Sequence, residues 1–148
     1  MTASTEYTLA NSLGFLANRF SRVLMRRIDA ALSRAGLGIT AQQYSFLVQL
    51  WAQNGLPQGV LAELTLRDKT TMARLAASLE GAGLVARLPS PGDSRERLVC
   101  LTAQGKELMD RATALVGEIL EAAREGIAAE ELDVCREVLR RACRNVLK

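Results

Sequence analysis

Along the first quarter of the chain, apolar residues recur at alternating steps of three and four: Leu9, Leu13, Leu16, Phe20, Val23 with Leu24, Ile28, and Ala31 with Leu32. This is the period of one buried helical face, and it predicts a long first helix stopped at Gly36 and Gly38, where a positive φ carries no strain. Thr40 followed by Gln43 has the capping-box spelling. Tyr44, Leu47, Val48 and Trp51 then fall at i, i+3, i+4 and i+7 before Asn54-Gly55, which predicts a second helix of about four turns. Pro57 suits a first helical position, so residues 57–64 read as a short third helix. Asp68 is a good N-cap for a fourth, whose apolar stripe is Met72, Leu75, Ala76 and Leu79 and whose stop is Gly81 and Gly83. At about 100° per residue the opposite side of that helix carries Thr70, Arg74 and Ala77, flanked by Thr71 and Ser78. That outward face is small and hydrogen-bonding, with one long cation.

The period then changes. Leu84 to Leu88 and Arg97 to Thr102 have strand character and are joined by Pro-Ser-Pro-Gly-Asp-Ser-Arg-Glu, which predicts a hairpin with a long polar tip. Thr102 can cap a fifth helix with the stripe Leu108, Ala112, Leu115, Val116, Ile119, Leu120 and Ala123, ending at Gly126. A sixth follows on Leu132, Cys135, Leu139, Ala142, Cys143 and Val146. No repeat, low-complexity tract or flexible linker interrupts the series. The order helix, helix, short helix, capped helix, hairpin predicts a mostly α (α+β) fold of the winged helix-turn-helix plan, in which the capped helix enters the major groove of DNA. The residues meet the physical demands of that plan. Lys69, Thr70 and Thr71 lie in the first turn, where free N–H groups and the positive dipole end favour phosphate. Arg74 is long enough for a bidentate contact with guanine, and Arg95 and Arg97 stand near the hairpin tip, where a guanidinium suits a narrow minor groove. Asp93 would be repelled by phosphate and is expected to orient a nearby Arg or the turn backbone.

Composition narrows the function without naming it. The 148 residues fit one domain or a domain with an added dimerisation lobe, and an apolar share of 49% beside 24% charged residues is ordinarily globular. No apolar run approaches the roughly 18 to 20 residues of a membrane span, and MTASTEYTLA lacks the form of a signal peptide, so a soluble cytoplasmic protein is expected. Three cysteines without CxxC spacing argue against a disulfide framework. With no histidine in the chain, the commonest general base and the commonest metal ligand are both missing, so neither catalytic nor metal-binding residues are expected, and no cofactor. The net charge of +3 is too small to argue for a polyanionic partner, and the basic excess lies in residues 1–54, which hold five Arg against two acids. Any DNA binding must rest on a few well-placed cations.

The run Asp93-Ser94-Arg95-Glu96-Arg97-Leu98-Val99-Cys100-Leu101-Thr102-Ala103-Gln104-Gly105 resembles DxRxxxVxLTxxG, the wing signature of the multiple-antibiotic-resistance regulator (MarR) family. Upstream, Asp68-Lys69-Thr70-Thr71-Met72-Ala73-Arg74-Leu75 and Leu79-Glu80-Gly81-Ala82-Gly83-Leu84-Val85 are similar to its recognition-helix pattern, D-K-S/T-T-V-x-R-L followed by L-E-x-x-G-L-V. The likeness runs the whole chain in order and length. It implies a homodimer in which the first, fifth and sixth helices interlock and two winged lobes read a near-palindromic operator in double-stranded DNA. It divides the chain into an N-terminal dimerisation helix (1–38), a DNA-binding lobe (39–102, recognition helix about 68–82, wing about 84–102) and C-terminal dimerisation helices (103–148). By that resemblance Arg95 is the minor-groove residue with Asp93 its partner, and Thr70, Thr71 and Arg74 are major-groove contacts. Arg67 departs from the pattern, standing where the family often has an apolar residue, so that turn is either packed differently or offers another phosphate contact. Lys69, Ser78 and Arg97 complete the expected interface.

Regulation is the less determined part. Phe15, Arg19, Tyr44, Phe46 and Trp51 are the candidate lining of a pocket for a small aromatic or amphipathic effector, although core packing is the ordinary role of each aromatic. Cys135 and Cys143, two helical turns apart, share a face, and a thiol-based redox regulator is the alternative trigger. Buried cysteine is more often a small hydrophobe. The family's peroxide sensors use a cysteine in the first helix, and this chain has none before Cys100. Arg136, Arg140, Arg141, Arg144 and Lys148 mimic a nucleic-acid stripe, but with Glu130, Glu131 and Asp133 at the start of the same helix they complement its macrodipole. The rival function is a winged-helix module whose helix face docks on a protein.

Overall fold

A computed structural model describes residues 9–148. After a short 3₁₀ turn, Leu9–Asn11, come α1 (Leu13–Arg34), α2 (Ala41–Ala52), β1 (Leu56–Pro57), α3 (Gln58–Thr65), α4 (Lys69–Gly81), β2 (Val85–Ser90), β3 (Asp93–Leu101), α5 (Ala103–Ala123) and α6 (Ala129–Val146). The helical elements fall where the periodicity places them. The first begins later than its stripe, because Ser12 takes the cap and its hydroxyl accepts the Phe15 N–H at 3.2 Å. The chain forms two compact units, one ending at Val116 and the other Gly117–Lys148.

In the first unit Ile28 and Leu32 of α1, Leu47 and Leu50 of α2, Leu61 of α3, Met72 and Leu79 of α4, Val99 of β3 and Met109 of α5 are all buried. Among the described residues no polar or charged residue is buried. The Thr40–Gln43 capping box forms as spelled, with the Gln43 N–H donating to Thr40 Oγ1 (3.1 Å) and the Thr40 N–H to Gln43 Oε1 (2.9 Å). The Ala41 N–H donates to Asp29 Oδ1 at 2.6 Å and ties α2 to α1.

Three elements differ from the expected pattern. The α1 stripe is buried only at its C-terminal end; Leu13, Leu16, Phe20 and Val23 are exposed, because nothing in the described chain covers them. Pro57 is not a first helical residue. It precedes α3 and closes the two-residue strand β1, which pairs antiparallel with β3 (Leu56 opposite Val99) in a sheet of order β1-β3-β2. A strand of two residues is too short to show a period. The hairpin tip is shorter than its polar run: Ser90 pairs with Asp93 across Pro91-Gly92, with Gly92 at φ 93°, a turn that suits Pro then Gly.

In the second unit α6 buries no residue, and Cys135 and Cys143 are exposed rather than packed as small hydrophobes. Its start is held by the Ala128 N–H donating to Glu131 Oε2 at 3.0 Å. Arg136 pairs with Asp133 (3.0 Å) and Arg144 with Glu137 (3.3 Å).

Candidate nucleic-acid interface

The capped helix α4 is the centre of the site. Asp68 Oδ1 accepts the Thr71 N–H at 2.7 Å and Oδ2 accepts the Thr71 hydroxyl at 2.9 Å. These bonds hold the Asp68 carboxyl below its usual range, the backbone bond from Thr71 being the largest cause. Met72, Ala76 and Leu79 turn into the core and Leu75 is half-buried, so Thr70, Arg74 and Ser78 are left exposed, as the helical period requires. Thr71 is half-buried and its proton serves the cap, which leaves only its oxygen to accept from a ligand. Before α4, the turn Leu66-Arg67-Asp68 places Leu66 at φ 51°, a left-handed position for a branched side chain, and Arg67 is exposed beside it.

The wing approaches α4 by a bulge. Between the pairs Pro89–Arg97 and Ser90–Asp93 the strand β3 carries three extra residues, 94–96, and Arg95 stands out from the ladder there, exposed. Asp93 orients backbone rather than a guanidinium: its Oδ1 accepts the Arg95 N–H at 2.9 Å. Lys69 from α4 and Arg95, Glu96 and Arg97 from β3 border one cleft of about 270 Å³, floored by Met72 and Gln58. Gln58 Oε1 is buried there with no hydrogen-bond partner among the described residues. None of Arg67, Lys69, Arg74, Arg95 and Arg97 forms an ion pair among the described residues. A convex helix with an unpaired arginine, beside a bulged strand with two more, can place cations in neighbouring grooves of one duplex.

Thr102 caps α5 as the sequence predicts, and two contacts between elements at this site are invisible in local pattern. The Thr102 hydroxyl donates to the Gly83 carbonyl (2.6 Å) and accepts the Gly105 N–H (3.0 Å), while the Thr102 N–H donates to the Leu84 carbonyl (3.1 Å). A Cβ at Gly105 would overlap that same Leu84 carbonyl oxygen. The threonine and glycine of the wing motif therefore lock the base of the hairpin where α4 ends. Glu80, in the last turn of α4, is joined to Arg87 of β2, a pair that the sequence separates by seven residues and a turn.

The residues expected to line an effector pocket are dispersed. Phe15 and Arg19 are exposed on α1, and Tyr44 is buried in the core. Phe46, only 1% exposed, borders a cleft with Met25, Gln49 and Arg67. Trp51 borders another of about 410 Å³ with Asn54, Lys106 and Asp110, its indole N–H donating to Asp110 Oδ1 at 2.9 Å. The two faces of α2 look into different clefts. Among the described residues no group of acids and cysteines is placed to hold a metal ion, and no helix is long and apolar enough to cross a membrane.

Comparison with known proteins agrees with this geometry. Residues 39–96 match the model of the MarR family. The chain is 36% identical over 104 residues to the HTH-type transcriptional repressor Mb2911 of Mycobacterium bovis, covering 70% of this chain and 73% of that protein. Among solved structures it resembles CouR from Rhodococcus jostii RHA1 bound to p-coumaroyl-CoA, with a TM-score of 0.79, 28% identity, and coverage of 91% and 94% of the two chains. It also resembles a mutant MarR from E. coli complexed with operator DNA, with a TM-score of 0.76, 27% identity, and coverage of 88% and 92%. Proteins of this kind are transcriptional regulators rather than enzymes. With the capped helix, the bulged wing and these likenesses over most of its length, the chain belongs to the MarR family of transcriptional regulators.

Proposed function

We propose that two copies of this chain pair into a homodimer that binds duplex DNA at a near-palindromic operator in the cytoplasm and represses the adjacent genes. The observation that carries the reading is the set of cations without an ion pair among the described residues, with Arg74 on the exposed side of α4 and Lys69, Arg95 and Arg97 around one cleft. Thr70, Arg74 and Arg95 supply base and groove readout; Arg67, Lys69 and Arg97 set register on phosphate, with Thr71, Ser78 and Asp93 supporting them. Residues 39–102 act as the DNA-binding lobe. Residues 1–38, of which 1–8 lie outside the described residues, and 103–148 supply dimerisation. The exposed apolar residues of α1 (Leu13, Leu16, Phe20, Val23) and of α6 (Val134, Val138, Val146) support that assignment, since a second copy would remove them from water.

A small aromatic or amphipathic effector releases the operator by preferring a dimer whose two α4 helices are wrongly spaced for successive major grooves. The cleft at Trp51 and Lys106 supports such a ligand, as does the p-coumaroyl-CoA bound by CouR. Selection of bound sites from random duplexes with the purified protein tests DNA binding, palindromy and half-site spacing together. A steep linear fall of log affinity with log salt is expected. Recovery of no enriched duplex, or a flat salt response, would transfer the α4 face to a protein partner.

A further inference from the structure

The geometry points to Glu80 as the residue that sets the wing against the recognition helix, gripping the edge strand β2 at Arg87 and so fixing the span between Arg74 and Arg95. This inference rests on the DNA-reading assignment above and adds a positioning residue to it. Glu80 lies in the last turn of α4, six residues beyond Arg74 on the same helix. Arg87 is the third residue of β2, opposite Val99 of β3. The sheet order makes β2 an edge, so the side of the strand away from β3 has no partner strand among the described residues.

Glu80 fills that side with both carboxylate oxygens. Oε2 accepts the Arg87 backbone N–H at 3.2 Å, and Oε1 accepts Nε at 3.3 Å and Nη2 at 3.0 Å. A planar guanidinium against a carboxylate is directional, and the backbone bond adds a third point, so the contact fixes an orientation as well as a distance. Among the described residues it is the only side-chain hydrogen bond or ion pair between α4 and either wing strand. Both side chains remain partly in water, at 41% and 29% exposure, where an ion pair adds little to global stability. What the contact can do is hold an angle. Among the described residues Arg87 is also the one cation of α4 and the hairpin that is ion-paired, so its charge is already engaged by Glu80. Its guanidinium in turn holds the Glu80 carboxyl below the usual range, as expected of a carboxylate that accepts its hydrogen bonds.

The test uses the full chain, with Glu80→Ala and the milder Glu80→Gln, which keeps an acceptor for the backbone N–H but loses the ionic fork. Hydrogen exchange in the absence of DNA should show faster exchange of the Arg87 amide in Glu80→Ala, with an unfolding midpoint close to that of the parent. Binding to the selected operator should weaken about tenfold in the Arg95 background and hardly at all in the Arg95→Ala background, because coupled residues lose one interaction only once. Glu80→Gln should fall between. Unchanged exchange at Arg87, or equal losses of affinity in both backgrounds, overturns the positioning role; a general destabilisation would give the second result. If the parent binds no duplex at all, it is the DNA-reading assignment that fails, and the exchange measurement still decides whether Glu80 holds the wing.

Discussion

The α4–wing region and α6 are both rich in arginine, yet their acids are used differently, although Arg140 and Arg141 of α6 also lack ion pairs among the described residues. On α6, Arg136 and Arg144 are engaged by Asp133 and Glu137 within the same helix, and acids lead the helix while cations end it. Around α4 and the wing, three acids serve the architecture, while Glu96 stays in the cleft beside the cations. Asp68 caps the helix, Asp93 holds the bulge and Glu80 grips β2, and among the described residues Arg67, Lys69, Arg74, Arg95 and Arg97 are without ion pairs. Net charge does not separate the regions, since residues 55–102 carry only one more cation than acids. The lesson is that a binding face is made by where the acids are used, and cation counts miss it.

Substitutions can break or sharpen that comparison. The largest effect should come at the base of the wing: Gly105→Ala drives a methyl group into the Leu84 carbonyl and should cost about 3 kcal/mol in urea denaturation, the upper end of ordinary overpacking. A value near zero would mean that the hairpin base is not rigid. On the other side of the comparison, Phe20→Glu on the exposed α1 face should leave the winged fold intact by circular dichroism while sedimentation shows a monomer with lost operator binding. An unchanged dimer would remove α1 from the interface.

Next come the cations. Arg74→Ala and Arg95→Ala should each cost about 1 to 3 kcal/mol of operator affinity, Arg74 with relaxed base preference, measured by fluorescence anisotropy. Arg136→Ala and Arg144→Ala should each change it by less than about 0.5 kcal/mol, as surface substitutions do. Equal losses in the two regions would dissolve the contrast. A smaller effect of opposite sign is expected at the turn before α4. Leu66→Gly relieves a left-handed backbone at an exposed side chain and should raise stability by about 0.5 to 1 kcal/mol, strain relief exceeding the added chain entropy of glycine.

The smallest is the response to acid. Asp68 and Glu80 have folded values below their unfolded ones, so their contribution is complete above the ordinary carboxylate range and is lost as pH falls through the depressed values. Denaturation midpoints compared between pH 7 and pH 3 should therefore fall less in Asp68→Asn, which still caps the helix, than in the parent. An identical fall would mean that the cap does not depend on the charge.

Much of this was legible in local pattern. The stripes of α1 to α6, the Thr40–Gln43 box and the Asp68 cap are set by neighbours within four residues, and a helical period states which side chains turn outward, so Thr70 and Arg74 could be placed without coordinates. The cysteines show where pattern runs out. Their apolar spacing on α6 reads as burial, but burial requires a covering surface, and in the described chain no residue of α6 is more than half-buried.

Sequence alone thus determined the helices, their caps, the hairpin and the family motif, because each depends on bonds or periods that close within a turn or two of chain. Tertiary structure alone decided the bulge that presents Arg95, the Thr102–Gly105 lock on Leu84, the pairing of β1 with β3, and the Glu80–Arg87 grip. Those features join residues on different elements, and a contact across elements exists only after the chain has packed.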